Sequence, residues 1–124
     1  MTHDPWPTEI RLKDKGRMLA VSFDGGQSFE LSAEYLRVMS PSAEVQGHSA
    51  AERKTVGGKQ NVAIMQVEPV GNYAVRLVFD DMHSTGIYSW RYLHELGNEH
   101  ETKWAEYLAE LEAKGLTRDR PGIP

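Results

Sequence analysis

The chain has 124 residues, a hydrophobic content of 40% and a formal net charge of −4 when its histidines are counted as neutral. This length suits a single domain that buries a modest core without a disulfide or a structural metal. Cysteine is absent. Its absence excludes disulfide bonds, a thiolate zinc site, a cysteine nucleophile and thiolate ligation of an iron–sulfur cluster.

The distribution of apolar and basic residues narrows the function classes further. The chain has no apolar run of about eighteen residues, so no transmembrane helix is predicted. Its start, Met1–Pro7, lacks the basic and apolar regions of a secretory signal, which predicts a cytoplasmic protein. Basic residues cluster only near Arg53–Lys59 and Arg118–Arg120, without the basic face that nucleic-acid binding requires. We therefore expect neither a nucleic acid nor a membrane as partner.

Alternating apolar residues predict strands at the beginning of the chain. Glu9–Lys13 and Met18–Phe23 alternate in this way. Asp24–Gly26 supplies a tight turn into a partner strand that holds Phe29 and Leu31 inward. Residues 1–8 are predicted to be a flexible arm that precedes the domain.

A short helix is predicted next. Ser32 is a favourable N-cap for a helix from Ala33 to about Met39, and Pro41 stops it. Residues 40–61 show no periodicity. A loop of this length inside a compact domain is usually functional or disordered.

The second half repeats the order of strands followed by helices. A meander of three strands is predicted at Val62–Glu68, Tyr73–Phe79 and Thr85–Tyr88, with turns between them. The pattern thus predicts an α+β domain, a small and mostly antiparallel sheet with C-terminal helices packed against it, over residues 9–114. Residues 115–124 are predicted to be a flexible tail.

Two helices are predicted after this meander. The first follows Ser89 and ends at Gly97, which would act as a glycine C-cap. The second is capped by Asn98 with Glu101 three residues later. Its apolar stripe is predicted to consist of Trp104, Leu108 and Leu111.

An internal similarity relates the two halves. Aligning Phe23–Leu36 with Phe79–Leu93 places Gln27 on His83 and, after one inserted residue, Ser32 on Ser89 and Tyr35 on Tyr92. The chain therefore reads as two related units, each a hairpin followed by a helix. The second unit carries a histidine in its turn.

His83 is the leading candidate for a metal ligand. An imidazole beside Asp81 could bind a divalent ion such as iron or zinc if His48 and Glu44 of the long loop approached it. A turn histidine that only forms local hydrogen bonds is the other interpretation. Neither a P-loop nor a Gly-x-Ser-x-Gly motif is present to indicate phosphate binding or a serine hydrolase.

Three blocks resemble one known family, the gamma-butyrobetaine hydroxylase-like N-terminal domains. They are Tyr35–His48 with its Ser-Pro-Ser stretch, Val67–Tyr73, and Phe79–Trp90 with its Asp-Asp-Met-His turn. The resemblance covers roughly residues 8–112. In the large hydroxylases, this domain holds a structural zinc through three cysteines and a histidine. The histidine falls on His83 here, and the cysteines fall on Ser40, Ser42 and Val45.

The resemblance implies that the zinc site of the family is lost, because valine is no ligand and a hydroxyl is a poor zinc ligand. It also implies that this chain hydroxylates nothing, because the iron-dependent catalytic domain is missing. Related domains are fused to P-loop ATPases that carry iron–sulfur clusters. This association implies an accessory role in iron–sulfur cluster biogenesis, with such a carrier ATPase as protein partner.

These observations lead to two hypotheses. The first is a non-enzymatic accessory or protein-interaction domain that docks its partner through the long loop and the second turn. The second is an iron- or zinc-binding domain that uses His83, with His48, Glu44 or Asp81 as further ligands. The residues predicted for the docking surface are Ser40, Ser42, Glu44, Gln46, His48 and Tyr88.

Overall fold

The computed structural model describes residues 5–46 and 54–119, apart from the side chains of residues 43 and 44. Six strands and four α-helices follow one another in this part of the chain, with one short 3-10 helix (Asp14–Gly16) between the first two strands. The elements are β1 (Pro7–Lys13), β2 (Met18–Phe23), β3 (Ser28–Ser32), α1 (Ala33–Val38), α2 (Ala43–Gln46), β4 (Ile64–Val70), β5 (Ala74–Phe79), β6 (Ile87–Ser89), α3 (Trp90–Asn98) and α4 (His100–Ala113).

The strands form two antiparallel sheets, with the orders β1-β2-β3 and β4-β5-β6. The α+β class is therefore confirmed, with two small sheets in place of one. Each sheet is a meander, because strands that follow one another in the chain are neighbours in the sheet. As a result, β1 and β4 are both edge strands whose outer sides pair with no other described strand. None of the described helices has the length and apolar character that crossing a membrane requires.

One core joins the two sheets and the helices. The alternation predicted for β2 is confirmed, since Leu19, Val21 and Phe23 are buried while the residues between them are partly exposed. Their counterparts in β5 are Val75, Leu77 and Phe79. Helices α3 and α4 contribute further buried side chains, which are Leu93, Leu96, Tyr107 and Leu111.

The two units are capped in the same way. The Ser32 hydroxyl accepts a hydrogen bond from the backbone nitrogen of Tyr35 at 3.0 Å, and the Ser89 hydroxyl accepts one from Tyr92 at 3.1 Å. Each serine ends a strand and opens a helix, so both strand-to-helix junctions are fixed by one hydrogen bond. The internal similarity thus corresponds to equivalent local structures.

Helix ends depart from the sequence prediction. Gly97 lies inside α3, which runs to Asn98. A Cβ at Gly97 would lie 2.4 Å from the Phe29 ring, so its glycine serves close packing of α3 against β3. The predicted capping box is wrong, because Glu99 is the N-cap of α4 and forms no side-chain capping bond. Asn98 instead bonds to the ring of His94.

Two further predictions differ from the structure, one on the buried face of α4 and one on the end of β4. Tertiary packing selected Tyr107 for the buried side of α4 and left Leu108 exposed, so the predicted stripe was wrong at that position. Strand β4 extends to Val70 and includes Pro69, which the sequence placed in a turn. Pro69 is tolerated because β4 is an edge strand and one side of it needs no backbone donor.

The ends of the described chain are attached to the body. The carbonyl of Trp6 accepts a hydrogen bond from the backbone nitrogen of Asp24 at 2.9 Å. The carbonyls of Thr117 and Arg118 accept bonds from Gly58 and Gln60 at 2.8 and 3.0 Å. The Arg118 guanidinium pairs with both carboxylate oxygens of Glu34, at 2.7 and 2.8 Å. The described parts of the predicted arm and tail therefore hold contacts that free segments would lack.

Candidate functional site

A polar cluster lies at the second turn, which is the turn that links β5 to β6; its members Ser40, Ser42 and His83 are buried, whereas Thr85 is exposed. The Ser40 hydroxyl lies 2.8 Å from Nε2 of His83, and the Ser42 hydroxyl lies 2.6 Å from the Thr85 hydroxyl. The backbone nitrogen of Ser42 also donates to the Ser40 hydroxyl at 3.3 Å. We call Ser40, Ser42, His83 and Thr85 the serine–histidine cluster. It connects the segment after α1 to the second turn.

Local sequence explains how the cluster assembles. Helix α1 ends at Val38, and Pro41 prevents its continuation, so Ser40 and Ser42 lie in the irregular segment that follows. Gly86 allows the close approach, since a Cβ there would lie 2.5 Å from the Ser40 hydroxyl oxygen. The side-chain amide of Gln46 donates to the Ser40 carbonyl at 2.8 Å, which ties α2 to the cluster.

Asp81 holds the second turn to α1 and to the segment before β4. Its carboxylate accepts bonds from Arg37 Nε at 2.8 Å and from the backbone nitrogen of His83 at 3.1 Å, and it pairs with Lys59 Nζ at 2.6 Å. Burial by itself raises the pKa of this carboxyl, but the bonds from Lys59, His83 and Arg37 outweigh burial and lower it. Asp81 is therefore ionised and fully engaged at neutral pH.

The four positions that the resemblance assigns to zinc ligands do not fit a zinc ion. Val45 offers no donor atom, Ser40 and Ser42 offer hydroxyls, and the Nε2 atom of His83 is already bonded to Ser40. Zinc in structural sites prefers thiolate and imidazole ligands. Among the side chains that the structure describes, which do not include that of Glu44, no three from histidine, aspartate or glutamate are placed to hold a metal ion.

Several residues predicted for a docking surface are in the interior. Ser40 and Tyr88 are each 0% exposed, and Ser42 is also buried. Tyr88 donates its hydroxyl to the carbonyl of Leu36, and burial raises the pKa of this phenol. These three side chains cannot meet a partner, because they satisfy polar groups inside the domain. Gln46 is partly exposed, whereas His48 and the Glu44 side chain lie outside the described residues.

An open groove lies instead between the outer sides of β1 and β4. Its volume is about 890 Å³. Ile10 and Leu12 pair with the buried Val21 and Leu19, so they face the same side of their sheet as the core. Val67 faces the core side of the other sheet, opposite Leu77. The lining residues of this β1–β4 groove are Ile10, Leu12, Met65, Gln66, Val67, Glu68, Pro69, Val75 and Trp90.

Exposed aromatic side chains continue the groove at one end. Trp6 and Trp90 meet edge to face with their ring centroids 6.4 Å apart. Tyr73 lines the same depression as both tryptophans. Trp90 belongs to this depression and to the groove, so the two surfaces are continuous. We call Trp6, Tyr73 and Trp90 the aromatic corner.

Sequence reasoning missed this surface, because it assigned Trp6 to a flexible arm, and Trp90 lines the surface while also packing against the core. Met65, Tyr73 and Trp6 are 64%, 58% and 49% exposed. Large apolar side chains scattered singly over a surface need no explanation, but a continuous group of them does. The available signal was Trp6, a tryptophan in a segment that the pattern placed outside any strand.

The fold and the site define a class of protein. It is a small two-sheet α+β domain with an internally bonded polar cluster and an apolar groove along its open edge. The chain belongs to the gamma-butyrobetaine hydroxylase-like N-terminal family, whose model matches residues 10–94. No curated protein of similar sequence was found.

Solved structures agree with this assignment. Two proteins whose structures were determined by NMR in solution are 42% and 50% identical to the chain, with TM-scores of 0.83 and 0.80. The matches cover 98% and 99% of this chain and 95% and 93% of those chains. A crystal structure from Acidithiobacillus ferrooxidans is 40% identical, with a TM-score of 0.62, covering 73% of this chain and 91% of that one. That protein is described as a DUF971 family member of unknown function.

Proposed function

We propose that this chain is a non-enzymatic protein-interaction domain that docks a partner through the β1–β4 groove and the aromatic corner. The observation that carries the proposal is the continuity of exposed Trp6, Tyr73 and Met65 with the apolar groove. Tryptophan, tyrosine and methionine are enriched at protein interfaces, and tryptophan and tyrosine are among the residues that contribute most to the binding free energy.

The family resemblance suggests the kind of partner. Related domains occur together with ATPases that carry iron–sulfur clusters, so we propose a cytoplasmic accessory role in iron–sulfur cluster biogenesis with such a carrier as partner. The chain has no thiolate of its own to hold a cluster. In this proposal it acts by binding the carrier protein and not by binding the cluster.

A binding experiment with matched variants tests the proposal. The purified full chain is titrated with the iron–sulfur carrier ATPase of the same organism, and the dissociation constant is measured by calorimetry. The double substitution Trp6→Ser with Met65→Glu is expected to weaken binding at least tenfold. Ile87→Glu is the control, because Ile87 is also exposed but lies on β6, away from the groove.

Three outcomes separate the alternatives. Loss of binding only in the double variant supports both the surface and the partner. Equal weakening by Ile87→Glu would refute the proposed surface. No binding by the wild-type chain would refute the carrier as partner.

The metal-binding hypothesis stays a prediction from the sequence. Asp81 is engaged by two cations, and His83 is engaged by Ser40. A metal ion held by His83 with His48 or Glu44 would therefore have to displace existing bonds. Titration of the chain with zinc or iron(II), followed by NMR at the histidine rings, tests it. Chemical-shift changes at His83, together with a loss of metal affinity in His83→Ala, would revive this hypothesis, and equal metal affinity in that variant would refute it.

A further inference from the structure

The outer side of β1 is an unpaired strand edge. Within the described residues, β1 pairs only with β2, and the other edge strand that borders the groove, β4, pairs only with β5. An unpaired edge presents a row of backbone donors and acceptors that an additional strand can use. Strand addition of this kind is a common way in which a domain recognises an extended peptide.

Of the two edges, β1 is the one suited to accept a strand. The pairing of β4 with β5 shifts at Met65, and β4 contains Pro69, which has no backbone donor. In β1 the irregularity lies between Pro7 and Glu9, and the pairing from Glu9 to Lys13 is regular. A regular run of this kind can accept a short added strand in register.

The side chains of this run specify the chemistry of an added strand. Ile10 and Leu12 line the groove, so residues opposite them would place apolar side chains into it. Glu9, Arg11 and Lys13 alternate with them and lie on the opposite face of the sheet. Lys13 pairs with Glu30 at 3.4 Å, whereas Arg11 pairs with no carboxylate among the described residues.

We propose that β1 is the receptor strand for an extended segment of the partner protein, in which apolar residues alternate with acidic ones. The segment adds antiparallel to β1, with apolar side chains opposite Ile10 and Leu12 and a carboxylate opposite Arg11. This inference rests on the proposed function and names the chemical character of its partner. Arg11 selects acidic segments, because opposite charges directly across a strand pair attract and like charges repel.

A second copy of the chain fits the same edge less well. If two β1 strands paired with Ile10 opposite Leu12, Arg11 would face Arg11 of the other copy. If Ile10 faced Ile10, Arg11 would face Glu9 of the other copy favourably, but Leu12 would face Thr8, which lies in the irregular part of β1. Neither register satisfies the apolar and the charged positions together. An acidic and apolar partner segment satisfies both.

Two synthetic peptides test the inference with the isotope-labelled full chain. The first is acetyl-Thr-Val-Glu-Val-Glu-Val-Thr-amide, and the second carries lysine in place of glutamate. Backbone amide shifts are followed during titration up to millimolar peptide. The acidic peptide is expected to shift the amides of Glu9–Lys13 and to bind at least fivefold more tightly than the basic one. Arg11→Glu is expected to reverse that preference, and Lys114→Glu on the distant end of α4 is expected to leave it unchanged.

Contrary outcomes are distinguishable. No shift at Glu9–Lys13 with either peptide, or equal binding of both peptides, would overturn strand addition. Doubling of the mass in sedimentation without peptide, abolished by Arg11→Glu, would make a second copy the occupant and would also overturn it. If Trp6→Ser with Met65→Glu weakens carrier binding while Arg11→Glu does not, the proposed function stands and only strand addition fails. If neither changes carrier binding, the proposed surface fails as well.

Discussion

Tyr35 and Tyr92 each donate a hydrogen bond to the helix segment that carries the other. The Tyr35 hydroxyl bonds to the carbonyl of Leu96 in α3 at 2.7 Å, and the Tyr92 hydroxyl bonds to the carbonyl of Met39 at the end of α1. The same sequence separation divides Tyr35 from Tyr92 and Met39 from Leu96. The two units are thus joined by a reciprocal pair of bonds. Both bonds satisfy carbonyls at helix C-termini, which lack partners within their helices.

Removing either hydroxyl is expected to destabilise the domain. Tyr35→Phe and Tyr92→Phe should each lower the free energy of unfolding by about 1 kcal/mol, because each leaves a helix-terminal carbonyl without its donor. Tyr35→Phe should have the larger effect, since Tyr35 is buried completely. Urea denaturation measures both. Tyr73→Phe is the control because Tyr73 is exposed, and a loss there as large as at Tyr35 would contradict the explanation.

Burial of tyrosines predicts loss of stability in alkali. Burial raises the pKa values of Tyr35 and Tyr88, and it raises the pKa of Tyr107 to about 12. The unfolded chain ionises these phenols near their ordinary value of 10.0, whereas the folded chain keeps them neutral. Stability should therefore be unaffected below pH 10 and should fall above it, by up to about 1.4 kcal/mol per pH unit for each tyrosine.

Tyrosinate absorbance and circular dichroism, recorded together, test this expectation. The absorbance of the buried tyrosines should rise only as the protein unfolds. Tyr107→Phe should lower by one the number of protons released on unfolding in alkali, and the free energy of unfolding should therefore fall less steeply with pH. If all phenols ionised near pH 10 while the circular dichroism stayed native, the burial argument would be wrong.

The lowered pKa of Asp81 predicts that the domain loses stability in acid. Its pKa is lowered in the folded chain, so its contribution is fully present above the ordinary value of 3.8 and is lost as the pH falls through the lowered value. At pH 7, Asp81→Asn should cost about 2 to 3 kcal/mol, because it leaves Arg37 and Lys59 without their shared carboxylate. As the pH falls from 3.8 through the lowered pKa of Asp81, the difference from the wild type should shrink. The matched control is Asp119→Asn at an exposed position, and a cost for Asp81→Asn that did not vary with pH would contradict this account.

The geometry of the serine–histidine cluster predicts that cysteine substitutions can create a zinc site. The triple substitution Ser40→Cys, Ser42→Cys and Val45→Cys should create a Cys₃His site with His83, since Ser40 already lies 2.8 Å from Nε2 of His83. Substitution of cobalt for zinc should give the absorption of a tetrahedral thiolate complex. Adding His83→Gln should weaken binding at least tenfold. An unchanged affinity in that variant would mean that the imidazole does not meet the new thiolates.

Local rules predicted a large part of the fold, for reasons visible in single residues. Ser32 and Ser89 each end a strand and cap a helix, and this motif depends on neighbouring residues only. The alternation in β2 similarly requires only one buried face. Boundaries failed where a distant contact decided them, as when Phe29 required a glycine at position 97 inside α3.

The sequence by itself determined the α+β class, the repeated units and the absence of thiolate chemistry, because composition and short-range patterns carry that information. The family followed from the resemblance of three sequence blocks. Only the tertiary structure decided which polar residues are accessible. It buried Ser40, Ser42 and Tyr88, which the sequence offered to a partner, and it exposed Trp6, Tyr73 and Met65 along the aromatic corner and the groove that adjoins it. Burial depends on contacts between distant segments, and residue type and spacing alone do not specify those contacts.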